Sequence, residues 1–139
     1  MKCYAVIDTN VIVSALLAKS ETSATVLVVQ QLLEGSVIPI YNDYILEEYS
    51  TVLRRKKFRL DDNIIDLFLQ KIREDGICVN NEESNITLPD MKDVPFYVVA
   101  LNSELENTFL VTGNIKHFPK EPFVVTPAEF LKILQEKFL

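Results

Sequence analysis

AVIDTNVIVSAL, residues 5–16, is an apolar run that meets one carboxylate and then resumes with a different rhythm. Lys2 to Ile7 shows no polar alternation, so it reads as a short strand buried on both faces and ended by Asp8. Val11 to Leu17 reads as a helix. A doubly buried strand that turns directly into a helix is the opening half of a βαβ unit, because parallel strands need such crossovers.

The rest of the chain repeats this alternation. After a polar break at Lys19 to Thr22, a second helix runs to about Leu33, and Gly35 stands just past its end as a closing glycine should. Val37 to Ile40 is the next strand. Asn42 or Asp43 caps a helix through about Arg55. Asp61 or Asp62 starts another, with apolar Ile64, Ile65, Leu67, Phe68 and Ile72, and Gly76 ends it. Ile77 to Val79 is a short strand, followed by a polar loop over residues 80–92. Asp93 caps a helix from Val94 to about Glu104, with Pro95 in its first turn. Phe109 to Thr112 and Phe123 to Val125 are strands, and Thr126-Pro127-Ala128-Glu129 opens the last helix as a capping box. Short apolar strands alternating with helices predict a single α/β domain over residues 1–139. It is expected to have three layers, α/β/α, around a central, mostly parallel sheet. The crevice in which such sheets work lies at the carboxyl ends of their strands.

Composition narrows the chemistry. The 139 residues are 48% hydrophobic and 24% charged, which excludes disorder and suits one domain with a real core. No apolar stretch approaches the roughly 20 residues of a membrane span, and the run before Asp8 is too short for a secretory signal, so a cytoplasmic protein is expected. Two distant cysteines, Cys3 and Cys78, with one histidine, His117, argue against a disulfide framework or a Cys/His zinc site. Both cysteines are expected in the core. The three glycines cannot form a GxGxxG or Walker-type loop, and no GxSxG elbow exists. Carboxylates remain as the main chemical resource.

The net charge is −6, yet Arg54, Arg55, Lys56, Lys57 and Arg59 place five cations in one short run. Such a run either complements the carboxyl end of a helix or holds phosphates.

Asp8 leaves a buried strand, where an ionised side chain needs a cation or several donors. It can serve as an N-cap, or as a hard oxygen ligand for Mg²⁺ or Mn²⁺. Thr9 and Asn10 could orient its carboxylate or a water. On the Asn42 helix, Ile45, Leu46, Tyr49, Val52 and Leu53 share one face at about 100° per residue. Glu48 lies at the rim of that face and Glu47 points away from it, so Glu48 is the glutamate able to reach inward. Asp93 stands at a helix start. Asn114 stands where a strand-end ligand would, and Thr112 and Asn114 can both orient waters.

DTNVIVS at 8–14, LEEYSTVLRRKKF at 46–58, DVPFYVVA at 93–100 and LVTGNIKHFP at 110–119 together resemble a PIN domain. More narrowly they resemble the toxin ribonucleases of toxin–antitoxin pairs. The resemblance implies an α/β/α nuclease whose acidic residues bind one or two Mg²⁺ or Mn²⁺ ions for RNA hydrolysis. By motif, the acidic positions are Asp8, Glu48 and Asp93, with Thr9, Asn10 and Thr112 in support. The fourth position, an aspartate in the family, is Asn114 here, and an amide is a weaker partner for a second ion. A clustered trio of carboxylates repels, so at least one should titrate above its ordinary value. Arg54, Arg55 and Lys57 are the expected contacts to the RNA backbone. The expected partners are an RNA substrate, an antitoxin protein and a second copy of the chain.

Two alternatives stand beside this reading. Asn114 motivates a PIN-like scaffold that binds RNA or protein without cleaving. A strand ending in Asp8 also opens haloacid-dehalogenase-like phosphatases, but that chemistry wants a second aspartate where Asn10 stands.

Overall fold

A computed structural model of the chain describes residues 2–80 and 84–139. Strand β1 (Cys3–Ile7) is the centre of a five-stranded sheet of order β3-β2-β1-β4-β5, formed with β2 (Val37–Tyr41), β3 (Ile77–Cys78), β4 (Thr108–Val111) and β5 (Val124–Val125). Every pairing is parallel. Ala5, Val6 and Ile7 are buried, as an unalternating apolar strand requires.

Among the described residues, six α-helices cover the sheet: α1 (Thr9–Leu17), α2 (Ala24–Glu34), α3 (Asp43–Leu53), α4 (Asp62–Asp75), α5 (Val94–Leu101) and α6 (Pro127–Lys137). Helix α2 packs on α1, α6 and β2, while α5 packs on β1 and β4 with α3 alongside, and α4 packs on β2 and α3. The result is the three-layer α/β/α arrangement expected from the sequence. Among the described residues, no helix is long and apolar enough to cross a membrane.

Several local readings hold. Gly35 closes α2 at φ 89. The Asn42 side chain caps α3, Asp61 caps α4, and Thr126 with Glu129 forms the complete capping box of α6. Others are corrected. Helix α1 begins two residues before Val11, and α5 stops at Leu101. Asp93 is the N-cap residue of α5 by position, but its side chain makes no capping bond. Met91–Asp93 is a turn of 3₁₀ helix at the end of the polar loop, of which residues 81–83 lie outside the described residues. Cys3 is buried, whereas Cys78 is exposed on the two-residue edge strand β3. Pairing of β2 with β3 begins only at Ile40, one residue beyond Pro39, whose nitrogen has no hydrogen to donate.

The order of the strands places the carboxyl ends of β1 and β4 side by side at the middle of the sheet. Connections from β1 and β4 run to opposite sides there, which is the switch point where open α/β sheets bind ligands.

Candidate active site

Asp8 follows β1 directly and is 5% exposed. It occupies the N-cap position of α1 without capping it. Its Oδ2 instead accepts from Thr112 Oγ1 at 2.8 Å and from Asn10 Nδ2 at 3.2 Å. Thr112 is fully buried at the end of β4, where a hydroxyl must find partners. It finds two, since it also accepts the backbone N–H of Asn114 at 3.0 Å. Asn10 completes the lacing, its Oδ1 accepting the Gly113 N–H at 3.1 Å. The Thr112 hydroxyl thus donates to Asp8 and accepts from Asn114, tying the end of β4 to the end of β1. Asn10 orients the Asp8 carboxylate as expected.

Glu48 is half-buried on α3 and Glu47 is exposed, as their helical phase predicts. The Thr9 hydroxyl donates to Glu48 Oε2, not to Asp8. The neighbouring Tyr49, buried on the same helix, donates its hydroxyl to the carbonyl of Ile7. This bond ties α3 to the end of β1 and so sets Glu48 beside Asp8. In the sequence, Tyr49 reads only as an apolar-face residue.

Asp93 approaches from the start of α5. Its Oδ2 is buried and, among the described residues, has no hydrogen-bond partner. His117 Nδ1 stands 3.5 Å from it, near enough for ionic attraction without a formed hydrogen bond. Sequence reasoning assigns His117 no role; its one signal is being the sole histidine, four residues past Gly113. The Asn114 side chain lies at the exposed rim next to Gly113.

Electrostatics show that the acids share one neighbourhood. Burial pushes Asp8 up to about 6, the Thr112 hydrogen bond works against that, and the charges of Asp93 and Glu48 push it further up. Asp93 is also raised, first by burial and then by Asp90, with His117 opposing and Glu48 adding to the rise. In both groups burial is the larger cause of the rise and the neighbouring carboxylates add to it. Among the described residues, no three His, Cys, Asp or Glu side chains are drawn together as a finished metal-ligand set.

The basic run divides. Arg54 forks between Asp62 at 2.9 Å and Asp66 at 2.5 Å, joining the end of α3 to the start of α4. Lys57 lies over the Phe58 ring at 5.1 Å. Arg55 lines a groove that it shares with Glu48.

A family model described as PIN domain matches residues 4–116, well over half of the chain. No curated protein and no solved structure gives a significant match. The matched span carries Asp8, Glu48, Asp93 and Asn114, and the all-parallel three-layer fold agrees with it, which leaves the phosphatase alternative without support. PIN domains are typically nucleases, and this chain belongs to the PIN-domain family.

Proposed function

We propose that the chain is an endoribonuclease that depends on Mg²⁺ or Mn²⁺ and acts as the cytoplasmic toxin of a toxin–antitoxin pair. The observation that carries the reading is Asp93 Oδ2, buried without a hydrogen-bond partner among the described residues and with His117 at 3.5 Å, in the same negative field as Glu48 and Asp8, a carboxylate raised to about 6. Hard oxygen donors of this kind suit Mg²⁺ or Mn²⁺, and Asp8, Glu48 and Asp93 would hold the ion. When bound, it supplies a hydroxide near neutral pH and offsets charge on the phosphoryl group in transit.

The chain's own groups prepare that site. Asn10 and Thr112 fix the Asp8 carboxylate, Thr9 fixes that of Glu48, and Tyr49 fixes the helix that bears it. Asn114 brings no charge to the fourth position, so the donor set favours one ion over two. Protein partners in this reading are an antitoxin and a second copy of the chain.

Purified protein is expected to cleave unpaired RNA with Mn²⁺ or Mg²⁺, and Asp8→Asn is expected to abolish cleavage. Chelator-resistant cleavage, or equal rates for the two proteins, would sink the assignment. Tight RNA binding without cleavage in either metal would favour the scaffold reading. The toxin role predicts that expression arrests growth and that a small protein encoded beside it relieves the arrest.

A further inference from the structure

A groove of about 230 Å³ runs beside Glu48, with Tyr44, Glu47, Val52, Arg55 and Lys92 along its walls. Tyr44 and Glu48 are four residues apart on α3 and so lie on one stripe of the helix. Arg55 comes from just past the helix end, and Lys92 from the 3₁₀ turn that delivers Asp93. The groove therefore borders one of the three candidate metal-binding carboxylates, Glu48, and Lys92 on its wall directly precedes a second, Asp93. Tyr44 is 47% exposed, an aromatic ring presented to solvent at the mouth of the site. Its hydroxyl is raised first by partial burial and then by the charges of Glu48, Asp90 and Asp93. Among the described residues, Arg55 and Lys92 make no ion pair, in contrast to Arg54.

We infer that this groove is a base-binding subsite, in which Tyr44 stacks one unpaired nucleobase of the RNA while Arg55 and Lys92 hold the adjoining phosphate. The inference takes its substrate class from the nuclease reading above. An aromatic platform combined with a cationic track is how proteins hold single strands without a paired helix. The volume lies below the ~300 Å³ at which pockets for drug-sized ligands begin, so one ring system fits and a folded element does not. A base inside a duplex has no free face to offer Tyr44, which makes the subsite selective for unpaired RNA. Glu47, the remaining charge on the groove, presents an acceptor to an amino group on the base edge.

The test uses a short single-stranded RNA carrying 2-aminopurine, bound to Asp8→Asn protein and, in parallel, to wild type in EDTA, so that the RNA stays intact. Binding is expected to quench the fluorescent base. Tyr44→Phe should keep the quenching, whereas Tyr44→Ala should lose it and weaken binding about tenfold. Arg55→Ala and Lys92→Ala should each lower the salt slope of binding by about one. Tyr44 is exposed, so a thermal melt should show its variants folded. In protein that cleaves, Tyr44→Ala should raise KM far more than it lowers kcat. Undiminished quenching and affinity in Tyr44→Ala, or unchanged salt slopes in both cation variants, would overturn the subsite even if cleavage is observed. Tyr44-dependent quenching in a protein that never cleaves would uphold the subsite and refute the nuclease reading.

Discussion

At Asp8, burial and hydrogen bonding pull in opposite directions. Burial favours the protonated acid, while the Thr112 hydroxyl favours the carboxylate a cation would need. Thr112→Val removes that donor at nearly constant volume and strands the Asn114 N–H as well. Asp8 should then titrate above about 6, and Mn²⁺ affinity should fall by about tenfold, as for other groups that support a ligand from behind. An NMR titration and a metal-binding isotherm check both. Equal affinity in the two proteins would mean that Thr112 only fills space. Asp8 and Glu48 are legible from the amino-acid order alone, one from its place after an apolar strand and the other from helical phase. Tyr49 and His117 are not. A hydroxyl that donates to a distant backbone carbonyl, or an imidazole that meets a carboxylate across the sheet edge, depends on long-range packing and leaves no local pattern.

Among the elements, the alternation of short apolar strands with helices is readable because each strand is buried on both faces. Strand order is not readable, since pairing is decided by contacts far apart in the chain. The two helix-ending glycines show how one sequence signal covers two physical causes. Gly35 adopts a left-handed φ of 89, as a closing glycine is expected to. Gly76 has φ −92, which any residue can adopt. It is glycine for want of room: a Cβ there would lie 2.5 Å from the Ile72 carbonyl oxygen and 2.8 Å from that of Pro39. Both obstacles are backbone, so Gly76→Ala must shift α4 against β2. A loss of about 1–3 kcal/mol is expected from such overpacking, read by denaturant melts. A melt that matches wild type would show that the α4–β3 junction yields freely. Arg54 adds a second tie at the other end of α4, and its two ion pairs explain why a cation in the basic run need not face RNA.

For the whole molecule, the acidic site sets a pH dependence whose sign follows from Asp8. Its folded value is about 6 against an ordinary 3.8, so between those values the folded chain binds more protons than the unfolded one. Stability from this group is therefore fully present below about pH 4 and lost as pH rises through about 6. At pH 7.5 the ionised, buried carboxylate costs on the order of 3 kcal/mol, since each tenfold change in the protonation equilibrium is worth about 1.36 kcal/mol. Other carboxylates titrate in the same window, and the difference between wild type and Asp8→Asn cancels them. In chelator, the thermal midpoint of wild type relative to Asp8→Asn should fall as pH rises from 4.5 to 7.5. Mn²⁺ added at pH 7.5 should restore it, because an ion that binds only the folded state stabilises that state by mass action. Asp8→Asn should gain much less from the same addition. A pH-independent difference would place Asp8 outside the buried acidic field. A midpoint raised equally by Mn²⁺ in both proteins would put the metal elsewhere on this acidic surface.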